Sequence, residues 1–169
     1  MDIPGLVVVK IDETLIPPGP QGPAGPPGGK VVQTWFTQVT NDPSTNSLNY
    51  TTVLSSPSIT LSNAANKVVA LITINMGVTA LNITTLSLFR DNVDLTPAGR
   101  QGHLQMRPVD ISALYPASII VEDTPGSVGP FTYSLKWKVN QSTSWLGKRG
   151  ADSSLQAVGA TMYIMEIAA

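Results

Sequence analysis

The sequence predicts an all-β protein whose main domain is a jelly-roll sandwich. About ten short runs rich in β-branched and aromatic residues follow one another from residue 31 to residue 167. Turn-forming clusters of glycine, proline, asparagine and aspartate separate these runs about every dozen residues. No segment has a competing helical period. Many short strands at regular spacing are typical of a sandwich or a jelly roll.

The expected strands follow in chain order, and each run contains mostly strand-favouring residues. They are VVQTWFTQV (31–39), LNYTTVL (48–54), SITLS (58–62), KVVALITIN (67–75), ITTLSLFRD (83–91), VDLTP (93–97), HLQMRPV (103–109), ASIIVED (117–123), FTYSLKWKV (131–139), SSLQAV (153–158) and ATMYIMEI (160–167).

The run FTYSLKWKV alternates strictly between apolar and polar residues. Tyr133, Leu135, Trp137 and Val139 occupy one face, and Ser134, Lys136 and Lys138 occupy the other. This period of two predicts a strand with one dry and one solvated face, on the outside of the sandwich. It also predicts that Trp137 belongs to the core.

The runs KVVALITI and ATMYIMEI are apolar on both faces. In the second run, Tyr163, Met165 and Ile167 point one way, whereas Met162 and Ile164 point the other way. Strands with two apolar faces are expected inside a large core or at a subunit interface. We therefore predict a subunit contact that involves Met162, Ile164 or Met165. The alternative is that a loop of the same chain covers the outer face.

Residues 17–28 read PPGPQGPAGPPG, a collagen-like repeat. Glycine stands at every third position, and proline fills most of the places between. Because only glycine fits at the axis of three wound polyproline-II chains, this register predicts a short triple-helical stem over 17–29 and a homotrimer. The alternative is an extended proline-rich linker. The stem glycines are Gly19, Gly22, Gly25 and Gly28.

Residues 1–16 contain enough apolar side chains for one strand but too few for a core. Their apolar run is Leu6, Val7, Val8 and Val9. Such a segment is either a free terminus or an anchor that adds a strand to a partner, and we favour the anchor. The predicted organisation is an attachment segment (1–16), a stem (17–29) and a head domain (30–169).

Composition excludes several classes of function. Charged residues make up 12% of the 169 residues, the formal net charge is −1, and there is no basic run, so nucleic acid is not an expected partner. The apolar runs are too short for membrane insertion. The absence of cysteine and the acidic flanks of the first apolar run favour assembly in a cytoplasm.

The C-terminal third resembles a known group of proteins. The segment VEDTPGSVGPFTYSLKWKV (121–139), a tryptophan loop and the final SLQAVGATMYIMEI (154–167) resemble the trimeric jelly-roll heads of bacteriophage fibre and decoration proteins. Those heads are similar in architecture to the tumour-necrosis-factor and complement-type heads that follow collagen stems. The resemblance implies a homotrimeric virion protein. Because the stem here has only four triplets, it implies a compact appendage and not a long fibre.

Few residues suggest chemistry. With no cysteine and only His103 as histidine, the usual zinc sites are excluded, and the carboxylate spacing matches no calcium loop. No serine has the sequence context of a nucleophile elbow. We therefore predict no enzyme activity, metal or cofactor, and expect a solvated or hydrogen-bonded His103.

The tryptophan loop NQSTSWLGKRG is the expected ligand site. Trp145 stands beside polar residues and the pair Lys148 and Arg149, which together suit a host surface glycan. Tyr115, before a proline, is a further candidate. The alternative is that Trp145 caps the sandwich or packs on a neighbouring subunit.

Three function classes remain in view. The first is a homotrimeric virion protein, anchored to a capsid, baseplate or tail protein by residues 1–16, whose head serves host adsorption or capsid decoration. The second is a non-viral collagen-stemmed binding module of a cell or spore surface. The third is a glycan depolymerase, which would need paired carboxylates in a groove. The sequence favours the first and does not separate a tail location from a head location.

Overall fold

A computed structural model describes residues 29–39, 41, 43–79, 83–151 and 157–169. The predicted attachment segment and all four stem glycines lie outside the described residues. Every regular element of the described part is a β-strand: β1 (Val31–Gln38), β2 (Ser44–Thr45), β3 (Thr51–Ser55), β4 (Lys67–Val78), β5 (Thr84–Arg90), β6 (Val93–Asp94), β7 (Leu104–Met106), β8 (Tyr115–Asp123), β9 (Tyr133–Val139), β10 (Ser144–Leu146) and β11 (Ala160–Ile167).

The first sheet, sheet A, contains the long central strand β4. Strand β8 pairs along one edge of β4, and β11, followed by β1, pairs along the other. The short strands β10 and β2 lie beyond the ends of β11 and β1, and β10 pairs with the same edge of β4 as β11 does. Asn75 of β4 is at the change-over, because its backbone donates to Gly159 before β11 and accepts from Gly147 after β10. The main strand order of sheet A is therefore β1-β11-β4-β8.

The second sheet, sheet B, has the main order β3-β9-β5-β7, and the two-residue β6 pairs with the end of β5. All strand pairs in both sheets are antiparallel. The two curled sheets enclose one hydrophobic core, an arrangement compatible with a β-sandwich. This confirms the all-β class.

The alternating residues of β9 form the centre of the core. Tyr133, Leu135, Trp137 and Val139 are buried, which confirms the predicted dry face, although β9 is a central strand of its sheet. The largest fully buried side chains come from both sheets: Trp137, Tyr133, Ile59, Ile72, Ile74, Met76, Leu86, Leu88, Leu135, Leu146, Met162 and Ile164.

Three sequence-based strand predictions need correction. Run 58–62 forms only an isolated bridge from Ile59 to Phe131, beside the segment that leads into β9. Residues 144–146, expected to form a loop, form strand β10 because they pair with the end of β4 that extends beyond its pairing with β11. Most of the run 153–158 lies outside the described residues, and the described positions 157 and 158 are not in a strand.

Candidate functional site

The outer face of sheet A carries a row of four apolar side chains, three exposed and one (Leu71) half-buried, that crosses four strands. Phe36 of β1 pairs with Tyr163 of β11, which pairs with Leu71 of β4, which pairs with Ile120 of β8. Directly paired residues share one face, so the four side chains form a continuous line, here called the apolar row. Phe36 and Tyr163 are each 48% exposed, and Ile120 is 72% exposed. The rings of Phe36 and Tyr163 lie 4.6 Å apart between centroids.

Further apolar side chains extend the apolar row on one side, and polar side chains border it on both sides. Met165 and Val69 pair beside it and are half-buried, and they continue the apolar surface. Beyond them, Lys67 of β4 forms an ion pair with Glu122 of β8 at 2.7 Å. On the other side, hydroxyl groups of β4 and β11 bond to each other. An apolar centre with a polar rim is the usual composition of a protein interface.

The alternation of β11 corrects the predicted contact residues. Tyr163, Met165 and Ile167 do point away from Met162 and Ile164, as the sequence indicates. However, Met162 and Ile164 have no exposed surface, because they face sheet B and fill the core of their own chain. They are not available to a second subunit in this fold. Of the three predicted residues, only Met165 lies on the outer face.

The predicted ligand residues Trp145 and Lys148 lie together. The Lys148 ammonium group is 5.6 Å from the centre of the Trp145 ring. Trp145 is half-buried in β10, level with Gly77 of β4 and Ser44 of β2, and not in a loop. Its Nε1 is buried and has no hydrogen-bond partner among the described residues. The backbone of Lys148 and Arg149 passes directly over Gly77.

Tyr115 has a role within the chain. Its hydroxyl oxygen accepts hydrogen bonds from the backbone nitrogens of Val109 (3.2 Å) and Asp110 (2.7 Å), which hold the loop before β8. Tyr115 pairs with Met76 on the edge of β4 that faces β8, whereas Trp145 pairs with Gly77 on the edge that faces β10. Because Met76 and Gly77 are consecutive, Tyr115 and Trp145 also lie on opposite faces of sheet A. The structure therefore does not combine Tyr115 and Trp145 in one surface.

The outer face of sheet B carries two lysines on two aromatic rings. The Lys136 ammonium group lies 4.3 Å from the ring centre of Phe89, and that of Lys138 lies 4.5 Å from the ring centre of Tyr50. Tyr50 and Phe89 pack edge to face at 5.3 Å. Within the described part of the chain, neither lysine forms an ion pair with a carboxylate. This surface, here called the lysine face, therefore carries two cations, with the carboxylate of Asp94 level with Phe89 at its side.

Two surface clefts of about 520 and 370 Å³ open beside the lysine face and share Gln101 and Gln105 as lining residues. Arg100 lines the larger cleft, and Lys138 and Asn140 line the smaller one. We call the joined pair the amide cleft, after its glutamine and asparagine side chains. Clefts of this size are typical of small-ligand sites.

His103 lies at the wall of the larger cleft and belongs to a hydrogen-bonded network. Its Nδ1 accepts a bond from the backbone nitrogen of Leu88 at 3.3 Å, as expected for a hydrogen-bonded histidine. Burial lowers the pKa of His103, although the carboxylate of Asp94 opposes this shift. The Asp94 carboxylate also accepts a bond of 2.6 Å from Thr96. These contacts fix the loop that carries the cleft.

No protein-family model matches the chain, and no curated protein is recognisably similar to it. In the described ranges, no helix is long and apolar enough to cross a membrane. The same residues contain no cluster of histidine, aspartate or glutamate that could hold a metal ion. The geometry of the two outer faces therefore supplies the structural basis for assigning a function.

The sequence analysis missed the amide cleft and the lysine face. A signal was present: Lys136 and Lys138 occupy the solvated side of an alternating strand, where two like charges are close together. Their partners Tyr50 and Phe89 come from distant segments, and only the sheet pairing brings them to the lysines.

Proposed function

We propose that this chain is the subunit of a homotrimeric bacteriophage fibre or spike protein. Its residues 1–16 attach to a virion protein, and its head, residues 30–169, is displayed for host adsorption or capsid decoration. The apolar row on sheet A is the observation that carries the proposal. It gives the head a surface suited to self-association, which a collagen-like stem of four triplets needs.

The strand order supports a jelly roll as the form of the head. Eight antiparallel strands divide into the orders β1-β11-β4-β8 and β3-β9-β5-β7, in which most neighbours are distant in sequence. Two four-stranded sheets connected in this way are typical of a jelly roll.

The exposed apolar area favours a second copy of the chain as its partner. Leaving apolar surface in water costs about 25 cal/mol per Å², and contiguous exposed patches commonly mark interaction sites. The sequence favours a second and third copy of the same chain, because the glycine register of the stem requires three collagen-like chains and each copy supplies one. Three heads joined to one stem would each turn the same face toward the common axis.

The assignment to a virion rests on the resemblance of residues 117–167 to phage fibre heads and on the combination of a stem with a terminal head. The second candidate, a non-viral collagen-stemmed module on a cell or spore surface, is favoured by the same combination. The two candidates differ in the structure to which residues 1–16 attach: a virion protein in the first and a cell or spore surface in the second.

Light scattering on the full chain tests the assembly. We expect three times the chain mass of 17.8 kDa for the natural sequence and a smaller mass for Tyr163→Lys, which places a charge in the apolar row. The matched control is Val93→Lys, which changes an equally exposed apolar residue on sheet B. If Tyr163→Lys and Val93→Lys have the same mass as the natural chain, the apolar row is not the contact.

Gold-labelled antibodies against the head test the location. We expect label on phage particles and no label on host cell or spore surfaces. A chain without residues 2–12 should still fold but should no longer join the particle. Normal incorporation of this shortened chain would contradict the proposed anchor, and label confined to spores would favour the second candidate.

A further inference from the structure

The amide cleft and the lysine face carry three cations and one neighbouring carboxylate, that of Asp94, which is level with Phe89. Lys136 and Lys138 lie on aromatic rings, and Arg100 lines the larger cleft. None of these three cations forms an ion pair with a described carboxylate, and no described acidic residue lines either cleft. The three cations outnumber this carboxylate, and a surface with an excess of positive charge attracts an anion.

The register of sheet B arranges polar groups across this surface in a row. Lys138 of β9 pairs with Thr85 of β5, and Thr85 pairs with Gln105 of β7. Neighbouring strands are about 4.8 Å apart, so the three residues span about 10 Å of the sheet, with the buried Thr85 between the half-buried Lys138 and the exposed Gln105. A ligand with hydrogen-bonding groups spaced along a short chain fits such a row.

The two shared glutamines have hydrogen-bonding capacity to spare. The amide nitrogen of Gln105 donates to the side-chain oxygen of Gln101 at 2.8 Å, which orients both amides. Among the described residues, the Gln101 amide nitrogen and the Gln105 amide oxygen have no partner. The pair can therefore both donate and accept, as binding of hydroxyl groups requires.

Stacking of a nucleobase is not favoured here. Among the described residues, no phenylalanine, tyrosine or tryptophan lines either cleft, and the imidazole of His103 is held by a hydrogen bond to the Leu88 backbone. The rings of Tyr50 and Phe89 each have a lysine over one face. Single-stranded nucleic acids are usually bound by stacking bases on open rings. Leu48 and Ile83 of the smaller cleft instead offer aliphatic contacts for the C–H groups of a sugar ring.

We infer that the amide cleft and the lysine face bind an acidic saccharide, whose carboxylates contact Lys138 and Arg100 and whose hydroxyls contact Gln101 and Gln105. This inference goes beyond the proposed function. It concerns sheet B, whereas the assembly proposal concerns sheet A, and it holds whether or not the head is a trimer.

Calorimetric titration of the full chain with tetragalacturonate tests the inference. We expect saturable binding that weakens as sodium chloride rises, because salt screens exposed charges. Lys138→Gln should lower the affinity about tenfold, the usual order for loss of a charged hydrogen bond. Lys30→Gln, which removes the same charge from an exposed site near sheet A, is the matched control and should bind like the natural chain.

Gln105→Ala separates saccharide recognition from simple charge attraction. We expect it to weaken tetragalacturonate binding without changing the net charge. Neutral maltotetraose and inorganic phosphate are the comparison probes, and both should bind much more weakly. Melting curves and light scattering show whether each variant folds and assembles like the natural chain. A loss of binding in a variant that does both can then be assigned to the site.

Three outcomes would overturn the inference. They are an absence of tetragalacturonate binding at millimolar concentration, equal loss for Lys30→Gln and Lys138→Gln, and equal affinity for phosphate or maltotetraose. The second outcome would indicate a diffuse charge effect. The third would indicate a site that does not recognise the acidic saccharide as a whole.

Discussion

At the scale of single residues, Glu166 is the buried carboxylate that links sheet A to the loop before β4. It is completely buried and accepts hydrogen bonds from the Ser62 backbone (2.7 Å), Asn66 (2.6 Å) and Gln33 (2.9 Å). Burial alone would raise the pKa of Glu166, but these hydrogen bonds outweigh it and lower the pKa below the usual value. A buried charge is tolerated when both carboxylate oxygens accept hydrogen bonds in this way.

Glu166→Gln should destabilise the chain at pH 7 by about 1–3 kcal/mol, because an amide nitrogen would then face a donor. The folded pKa lies below the unfolded value of about 4.3, so the ionised group stabilises the fold above that pH. This contribution should be lost as the pH falls through the folded pKa. Urea unfolding at several pH values checks this, and the stability difference from the variant should shrink in acid. A constant difference would contradict this role.

The two methionines of β11 should respond oppositely to a charge. Met162→Asp places an unpaired carboxylate in the core and should unfold the chain or lower its melting temperature steeply. Met165→Asp, on the outer face, should leave the fold intact and reduce the assembled mass. Circular dichroism and light scattering measure the two effects. A folded Met162→Asp variant, or an unfolded Met165→Asp variant, would contradict the orientation of β11.

At the scale of elements, the segment after β10 is held against the end of β4 by two glycines. A Cβ on Gly77 would overlap the Lys148 carbonyl oxygen, and one on Gly150 would overlap the carbonyl oxygen of Val78. Backbone meets backbone at both positions, so no side-chain movement could relieve the contact. The closeness of this packing determines where Lys148 sits over Trp145.

Gly150→Ala should therefore displace the segment and separate Lys148 from Trp145. We expect a destabilisation of about 1–3 kcal/mol, as for other overpacked sites, and a change in the tryptophan emission spectrum. Ala151→Ser, at the exposed next position, is the control and should leave both unchanged. An unchanged emission spectrum in Gly150→Ala would mean that the two backbones do not pack in this way.

At the scale of the whole molecule, the two outer faces differ in character. The outer face of sheet A is apolar at its centre, and that of sheet B is positively charged. A half-buried ion pair connects the two sheets: Arg90 of β5 bonds to Asp123 of β8 at 2.7 Å, and Tyr133 of β9 also donates to Asp123 at 2.7 Å. The two faces are thus fixed relative to one core, with assembly proposed for one and ligand binding for the other.

The head should form a trimer without its stem. Four collagen triplets cannot offset the entropy of aligning three chains, whereas the apolar row can bury surface between heads. Light scattering and analytical ultracentrifugation on residues 31–169 measure this, and Gly22→Ala in the full chain should leave the trimer intact. A monomeric head at micromolar concentration would show that the stem or the attachment segment determines assembly.

Much of the fold could be predicted from the sequence because it depends on local patterns. The period of two in β9 and the two-sided apolar pattern of β4 and β11 identified the strands, and Trp137 was correctly expected in the core. The proximity of Trp145 and Lys148 was also predictable, since they are three residues apart. The stem, the anchor and the trimer stay predictions.

The sequence by itself determined the all-β class and which side chains of each strand share a face, because side chains alternate at every residue along a strand. Only the tertiary structure decided which face of β11 is the inner one, since Met162 and Met165 are equally apolar. It also decided the partners of the lysines on β9. Phe89 and Tyr50 reach them through pairings between distant segments, and such pairings depend on how the whole chain buries its apolar surface.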